Sequence, residues 1–114
     1  MRRAERLPTV NLRAIAYQDP ESQEFLAHCL DLDLMASGHD QTSALNNLLD
    51  VVREQIRFAL SHDNVEHLMR PAPADAWVRY AEILKQRFRT ESTPIDVRDE
   101  VRNFEPQLEV AIAS

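Results

Sequence analysis

The residues best placed to do chemistry are His28, Asp31 and Asp33, an imidazole and two carboxylates of the kind that bind zinc or iron. On one continuous strand, however, His28 points away from Asp31 and Asp33, because successive side chains alternate between faces. The expectation is a half-buried histidine beside a solvated acidic loop, with no metal bound. Cys29 with His28 or His62 would make a thiolate–imidazole pair. Adjacent strand residues face apart, and free cysteine is among the most buried residue types, so Cys29 reads as structural. His62 and His67 flank a helix end, where a histidine interacts favourably with the helix dipole.

A second group is basic. Arg79, Lys85, Arg87 and Arg89, interleaved with Phe88, offer phosphate affinity and a ring on which a base can stack. The competing reading places Phe88 in a core-facing helical stripe, with the charges as its solvated flank. Gly38 is the single glycine of the chain, which argues against a glycine-rich phosphate cradle. No nucleophile–base pair and no metal-ligand spacing stands out, so neither an enzyme nor a cofactor is expected.

These residues sit on a chain of 114 residues, the length of one domain. With 44% hydrophobic and 28% charged residues, its composition is that of a globular protein. A balance of 13 basic to 19 acidic residues gives a net charge of −6, which favours a basic partner over non-specific nucleic-acid binding. One cysteine permits no intrachain disulfide and suits a reducing compartment. No apolar run approaches the ~20 residues that span a bilayer, and none follows the charged N-terminus as in a secretory signal. A cytoplasmic location without membrane association is expected.

The elements that position these groups come from hydrophobic periodicity. Residues 1–8 read as a basic tail. Val10, Leu12, Ala14 and Ala16 alternate with polar neighbours and predict a strand from Thr9 to Tyr17. Turn residues follow at Gln18–Ser22. Residues 24–37 then form one bent strand or two strands joined near Leu30–Asp33, leaving the core at Asp31. Asp40 is a helix N-cap, and Leu45, Leu48, Leu49, Val52, Ile56, Ala59 and Leu60 predict an amphipathic helix over Gln41–Leu60.

Beyond Leu60 the signals weaken. Val65–Met69 suits a short helical turn or a strand. Asp75 opens a helix carrying Trp77, Tyr80, Ala81, Leu84 and Phe88 as its stripe, with a break at Thr90–Pro94. Residues 95–103 are ambiguous, and Leu108, Val110 and Ile112 predict a final strand.

The order of strand, turn, strand, glycine and capped helix resembles the HicB-like antitoxin family. The stretch from Phe25-Leu26-Ala27-His28-Cys29-Leu30-Asp31-Leu32-Asp33 through Gly38-His39-Asp40-Gln41-Thr42-Ser43-Ala44-Leu45 carries the likeness. Gly38 takes the place of the family's glycine, Asp40 that of its usual capping threonine, and Ala44 that of its helix-facing alanine. The match covers residues 10–60. Three features depart from the pattern: Leu30–Asp33 lacks the family's Pro and Gly, Thr42-Ser43 replaces an acidic pair, and no DNA-binding motif follows Leu60.

The resulting expectation is an α+β fold: a small antiparallel sheet in a β-β-β-α core, with the long helix on one face, a further helix and a C-terminal strand. Residues 1–114 form a single HicB-like domain, with its core at 9–60 and an extension at 61–114. The resemblance implies an oligomeric antitoxin that covers the RNA-binding face of a small basic ribonuclease toxin, HicA-like in kind, and Asp31, Asp33 and Asp40 are the residues assigned to that contact. Exposed edges in so small a sheet lead to the expectation of a homo-oligomer. The alternatives are a nucleic-acid-binding regulator using an Arg79–Arg89 helix, and an orphan oligomeric domain without a toxin.

Overall fold

The computed structural model describes residues 9–86, 88–97 and 105–113. The sequence expectations for residues 1–8, for Arg87 and for 98–103 fall outside these described residues. Strands β1 (Thr9–Gln18), β2 (Phe25–Cys29) and β3 (Leu34–Gly38) lead into helix α1 (Gln41–Ser61). A 3₁₀ turn (Val65–His67), helix α2 (Ala74–Lys85) and strands β4 (Phe88–Pro94) and β5 (Glu105–Ala113) follow. The strands form one five-stranded sheet in the order β3-β2-β1-β5-β4. The fold is α+β, as expected.

The sheet is mixed rather than antiparallel. β2 pairs antiparallel with both β1 and β3, and β4 with β5, but β5 runs parallel to β1. This pairing sets Leu12 beside Leu108, Ala14 beside Val110 and Ala16 beside Ile112, so the buried alternations of two strands fall on one face. On the reverse face it sets Arg13 beside Glu109 and Ile15 beside Ala111. A parallel pair needs a long crossover, and the chain between β1 and β5 supplies it.

That face of the sheet packs against α1. Ala44, Leu48, Val52, Ile56 and Ala59 form its buried stripe against Ala14, Ala16, Ala27, Cys29, Val110 and Ile112. Full burial of an aliphatic side chain such as Leu48 or Ile56 is worth about 1.5–3 kcal/mol. The reverse face carries a smaller second core: Ile15, Leu30 and Ala111 meet Ala72, Ala76 and Ile83, with Trp77 and Tyr80 packed around them. The protein is therefore layered, with α1 and α2 on opposite sides of the sheet.

Helix α1 starts where expected. The Asp40 carboxylate accepts from the Ser43 amide at 2.7 Å. Gly38 lies tightly under that first turn: a Cβ there would stand 2.5 Å from the Ala44 nitrogen and 2.8 Å from the Ser43 Cβ. At the other end, Asp63 adopts a left-handed conformation (φ 51°) and the Asn64 amide reaches back to the Ala59 carbonyl at 2.8 Å.

Helix α2 stops at Lys85, short of Phe88. The expected stripe therefore does not extend to Phe88, and Ala81 and Leu84 are exposed. The Thr90–Pro94 stretch, read from sequence as a break, is strand β4. As an edge strand with almost every residue exposed, it has no buried face to impose an alternation.

Candidate protein-interaction site

The three acidic residues expected to form a partner surface are not brought together. Asp31 is buried, contrary to the expectation that the chain leaves the core there. Its carboxylate accepts from the Arg13 backbone amide at 2.7 Å and from the Arg13 guanidinium at 3.0 Å. The guanidinium in turn lies over the Trp77 ring, 4.7 Å from its centroid. The hydrogen bond and nearby charge of Asp31 raise the Arg13 pKa further above its already high value. Asp31 is thus consumed in holding β1, the β2–β3 turn and α2 together. The loop around it is fixed in the same way, since the Asp31 and Leu30 carbonyls accept from the Arg70 and Ala72 amides.

The Asp33 carboxylate accepts a hydrogen bond from His28 Nε2 at 2.8 Å. The expectation that His28 and Asp33 point apart is corrected: residues 30–33 form a turn, with Asp33 left-handed at φ 53°, so strand alternation does not continue through it. His28 is buried, and its Nδ1 has no hydrogen-bond partner. Asp40 sits at the far end of β3 from Asp33, exposed and engaged as the α1 cap. Its hydrogen bonds from Ser43 hold its pKa below the ordinary 3.8.

Cys29 is buried in the α1-side core, and burial pushes its thiol up to about 12. Among the described residues, no group of three or more His, Cys, Asp and Glu side chains is arranged to hold a metal ion.

The basic group is also dispersed. Arg79 on α2 donates to the Tyr17 hydroxyl at 3.1 Å and lies 4.8 Å over its ring. Lys85 is the last residue of α2. Arg89 is on β4, paired with Ile112 and so on the α1 side of the sheet, with its Nε 3.4 Å from Glu91. No single helix presents Arg79, Lys85 and Arg89, because α2 ends before the strand that carries Arg89. The Arg79–Arg89 helix expected from sequence does not exist.

Sequence reading missed a different surface, on the outer face of α1. Val51 and Phe58 are 40% and 54% exposed, one above the other at helical spacing. They line a shallow depression with Asp50, Glu54, Gln55, Arg57 and Ser61. The His62 ring stacks on Phe58 with centroids 4.0 Å apart, which extends the apolar stripe to the end of the helix. The available signal was that Val51 and Phe58 fall outside the buried stripe of Leu48, Val52, Ile56 and Ala59, leaving two large apolar side chains on the polar face. A cleft of about 170 Å³ also opens between Leu45 and Leu49 of α1 and the β4–β5 pair, with Arg89 and Glu91 on its walls.

None of the described helices is long and apolar enough to cross a membrane. No family model matches the chain, and neither a curated protein nor a solved structure does.

Proposed function

We propose that this protein is a binding module of antitoxin type that neutralises a small basic ribonuclease-like protein by covering its RNA-binding face. The observation that carries this reading is the outer face of α1. There Val51 and Phe58 lie exposed in one depression with Asp50, Glu54 and Arg57, on a chain of net charge −6. An apolar centre with a charged and polar rim, on a chain that is acidic as a whole, suits a basic protein surface: the apolar groups supply affinity, and the net charge supplies steering. The close seat of Gly38 under the first turn of α1 gives a physical reason for the glycine of the hairpin-to-helix motif.

Asp33 and Asp40 remain exposed acidic groups, and they belong to the electrostatic surroundings of such a partner rather than to one contact patch. Asp31 leaves the set, because its carboxylate is taken by Arg13. A reducing cytoplasm, where the single cysteine stays a thiol, is the compartment this reading assigns.

The test is affinity purification of the tagged protein from its source cell at low salt, followed by native mass spectrometry. A stoichiometric small basic protein, released as salt rises, is the expected result. Recovery of the chain alone, or of nucleic acid in place of a protein, overturns the reading.

A further inference from the structure

The two edges of the sheet are unequal. At β3 the edge is partly filled, since the Ser37 carbonyl accepts from Asn47 Nδ2 at 2.9 Å and α1 lies alongside. At β4 every residue but the half-buried Thr93 is exposed. The Ile95 amide donates to the Pro106 carbonyl at 2.9 Å, which fixes the hydrogen-bonding phase of the β4–β5 ladder. By antiparallel alternation, Arg89, Glu91 and Thr93 then direct their backbone groups to β5, and Phe88, Thr90 and Ser92 direct theirs outward. Pro94 falls in the outward set, where its missing N–H removes no bond from the sheet. Among the described residues none hydrogen-bonds to these outward groups, and such an edge is a template for another strand.

We infer that the occupant of this edge is a second copy of the chain, joined β4 to β4 about a two-fold axis at Thr90. In that register Thr90 exchanges backbone hydrogen bonds with its own counterpart, and Phe88 does so with the other copy's Ser92. Arg89 of each copy then stands directly opposite Glu91 of the other, on the α1 side of the sheet, in the closer, non-hydrogen-bonded type of pair. The two cross-strand ion pairs form together with the Arg89–Glu91 pair already present within each strand. Charge selects this register. Sliding it one step so that Thr90 meets Ser92 opposes Glu91 to Glu91, and sliding it the other way opposes Arg89 to Arg89. Pro94, unable to donate, ends the ladder just beyond Ser92. The inference stands apart from the antitoxin reading: it concerns β4, not the outer face of α1, and no toxin is needed to observe it.

The experiment is sedimentation velocity on the full chain across the micromolar range, with circular dichroism to verify folding. The wild type is expected to form a dimer. Arg89→Glu opposes glutamates at both ends of the pairing and is expected to raise the dimer dissociation constant on the order of tenfold or more. Combining Arg89→Glu with Glu91→Arg is expected to restore it. A wild type monomeric throughout, a dimer indifferent to Arg89→Glu, or a charge swap that fails to rescue each overturns the inference. Hydrogen exchange gives a readout without any variant: the Thr90 and Ser92 amides are expected to become protected as concentration rises, and fast exchange at every concentration would also overturn it.

Discussion

Arg13 gives both its backbone amide and its guanidinium to one carboxylate, that of Asp31, at 2.7 and 3.0 Å. With Trp77 stacked on the far side of the guanidinium, this pair joins β1, the β2–β3 turn and α2. Removing the carboxylate strands a backbone donor as well as a cation. Asp31→Ala is expected to cost about 2–3 kcal/mol, toward the lower end of such losses because the Arg13 side chain is 48% exposed. Asp31→Asn, which keeps an acceptor, is expected to cost roughly half as much. Urea denaturation of the two variants measures both, and equal losses would contradict this account of the pair.

Gly38 is required for space rather than for an unusual backbone angle. Gly38→Ala drives a Cβ against the Ala44 nitrogen and Ser43. The expected loss is about 1–3 kcal/mol, with the strain centred on the start of α1. Thermal unfolding gives the magnitude, and amide exchange at Ser43 and Ala44 gives the location.

Cys29 is expected to be inert in the folded protein. Its thiol is buried and its pKa is pushed up to about 12, so almost no thiolate forms at neutral pH. Labelling by a thiol-specific disulfide reagent at pH 8 is expected to follow the rate of global or local opening. Labelling as fast as that of a free cysteine would place the sulfur at the surface.

Asp40 predicts a specific acid sensitivity. Its folded pKa lies below 3.8, chiefly because the Ser43 amide hydrogen-bonds its ionised form, so it binds fewer protons folded than unfolded. Its stabilising effect is therefore fully present above the unfolded value and is lost as pH falls through the folded one. Asp40→Asn, which still caps the helix, is expected to reduce the decline in unfolding free energy below about pH 4. An unchanged acid limb would assign that decline to other carboxylates, Asp19 with its Ser22 bonds first among them.

The outer face of α1 is expected to tolerate substitution as a fold and not as an interface. Phe58→Ser and Val51→Ser remove exposed side chains, so stability is expected to stay within about 0.5 kcal/mol. Binding of the basic partner is expected to weaken by more than tenfold for Phe58→Ser, the larger loss of contact. Calorimetric titration against the recovered partner measures it.

Much of this fold is legible in the sequence where burial is one-sided. The α1 stripe predicts 41–60 against the observed 41–61, and the alternation of Val10, Leu12, Ala14 and Ala16 marks β1. Leu108, Val110 and Ile112 mark β5 in the same way. The pattern does not say that β5 runs parallel to β1, because alternation is the same in either direction. β4 escapes because no face of it is buried. Asp31 and Asp33 escape for another reason: a turn cancels alternation, and the Arg13 that claims Asp31 is distant in sequence. Of the residues singled out for binding, the type was readable, as was the exposure of Asp33 and Asp40 but not of Asp31; their dispersal over several elements was not.

The position of β5 between β1 and β4 has a consequence for synthesis. The ribosome delivers β1 early, yet its parallel neighbour is the last strand described in the chain. Until that strand emerges, β1 can close on β2 and β3 but must keep one side open, and β4 has no neighbour at all. Completion of the sheet is thus a late event that closes the longest loop in the fold, and such closures are slow. A nascent chain stalled before Glu105 would hold two unpaired edges that the finished protein buries in its interior.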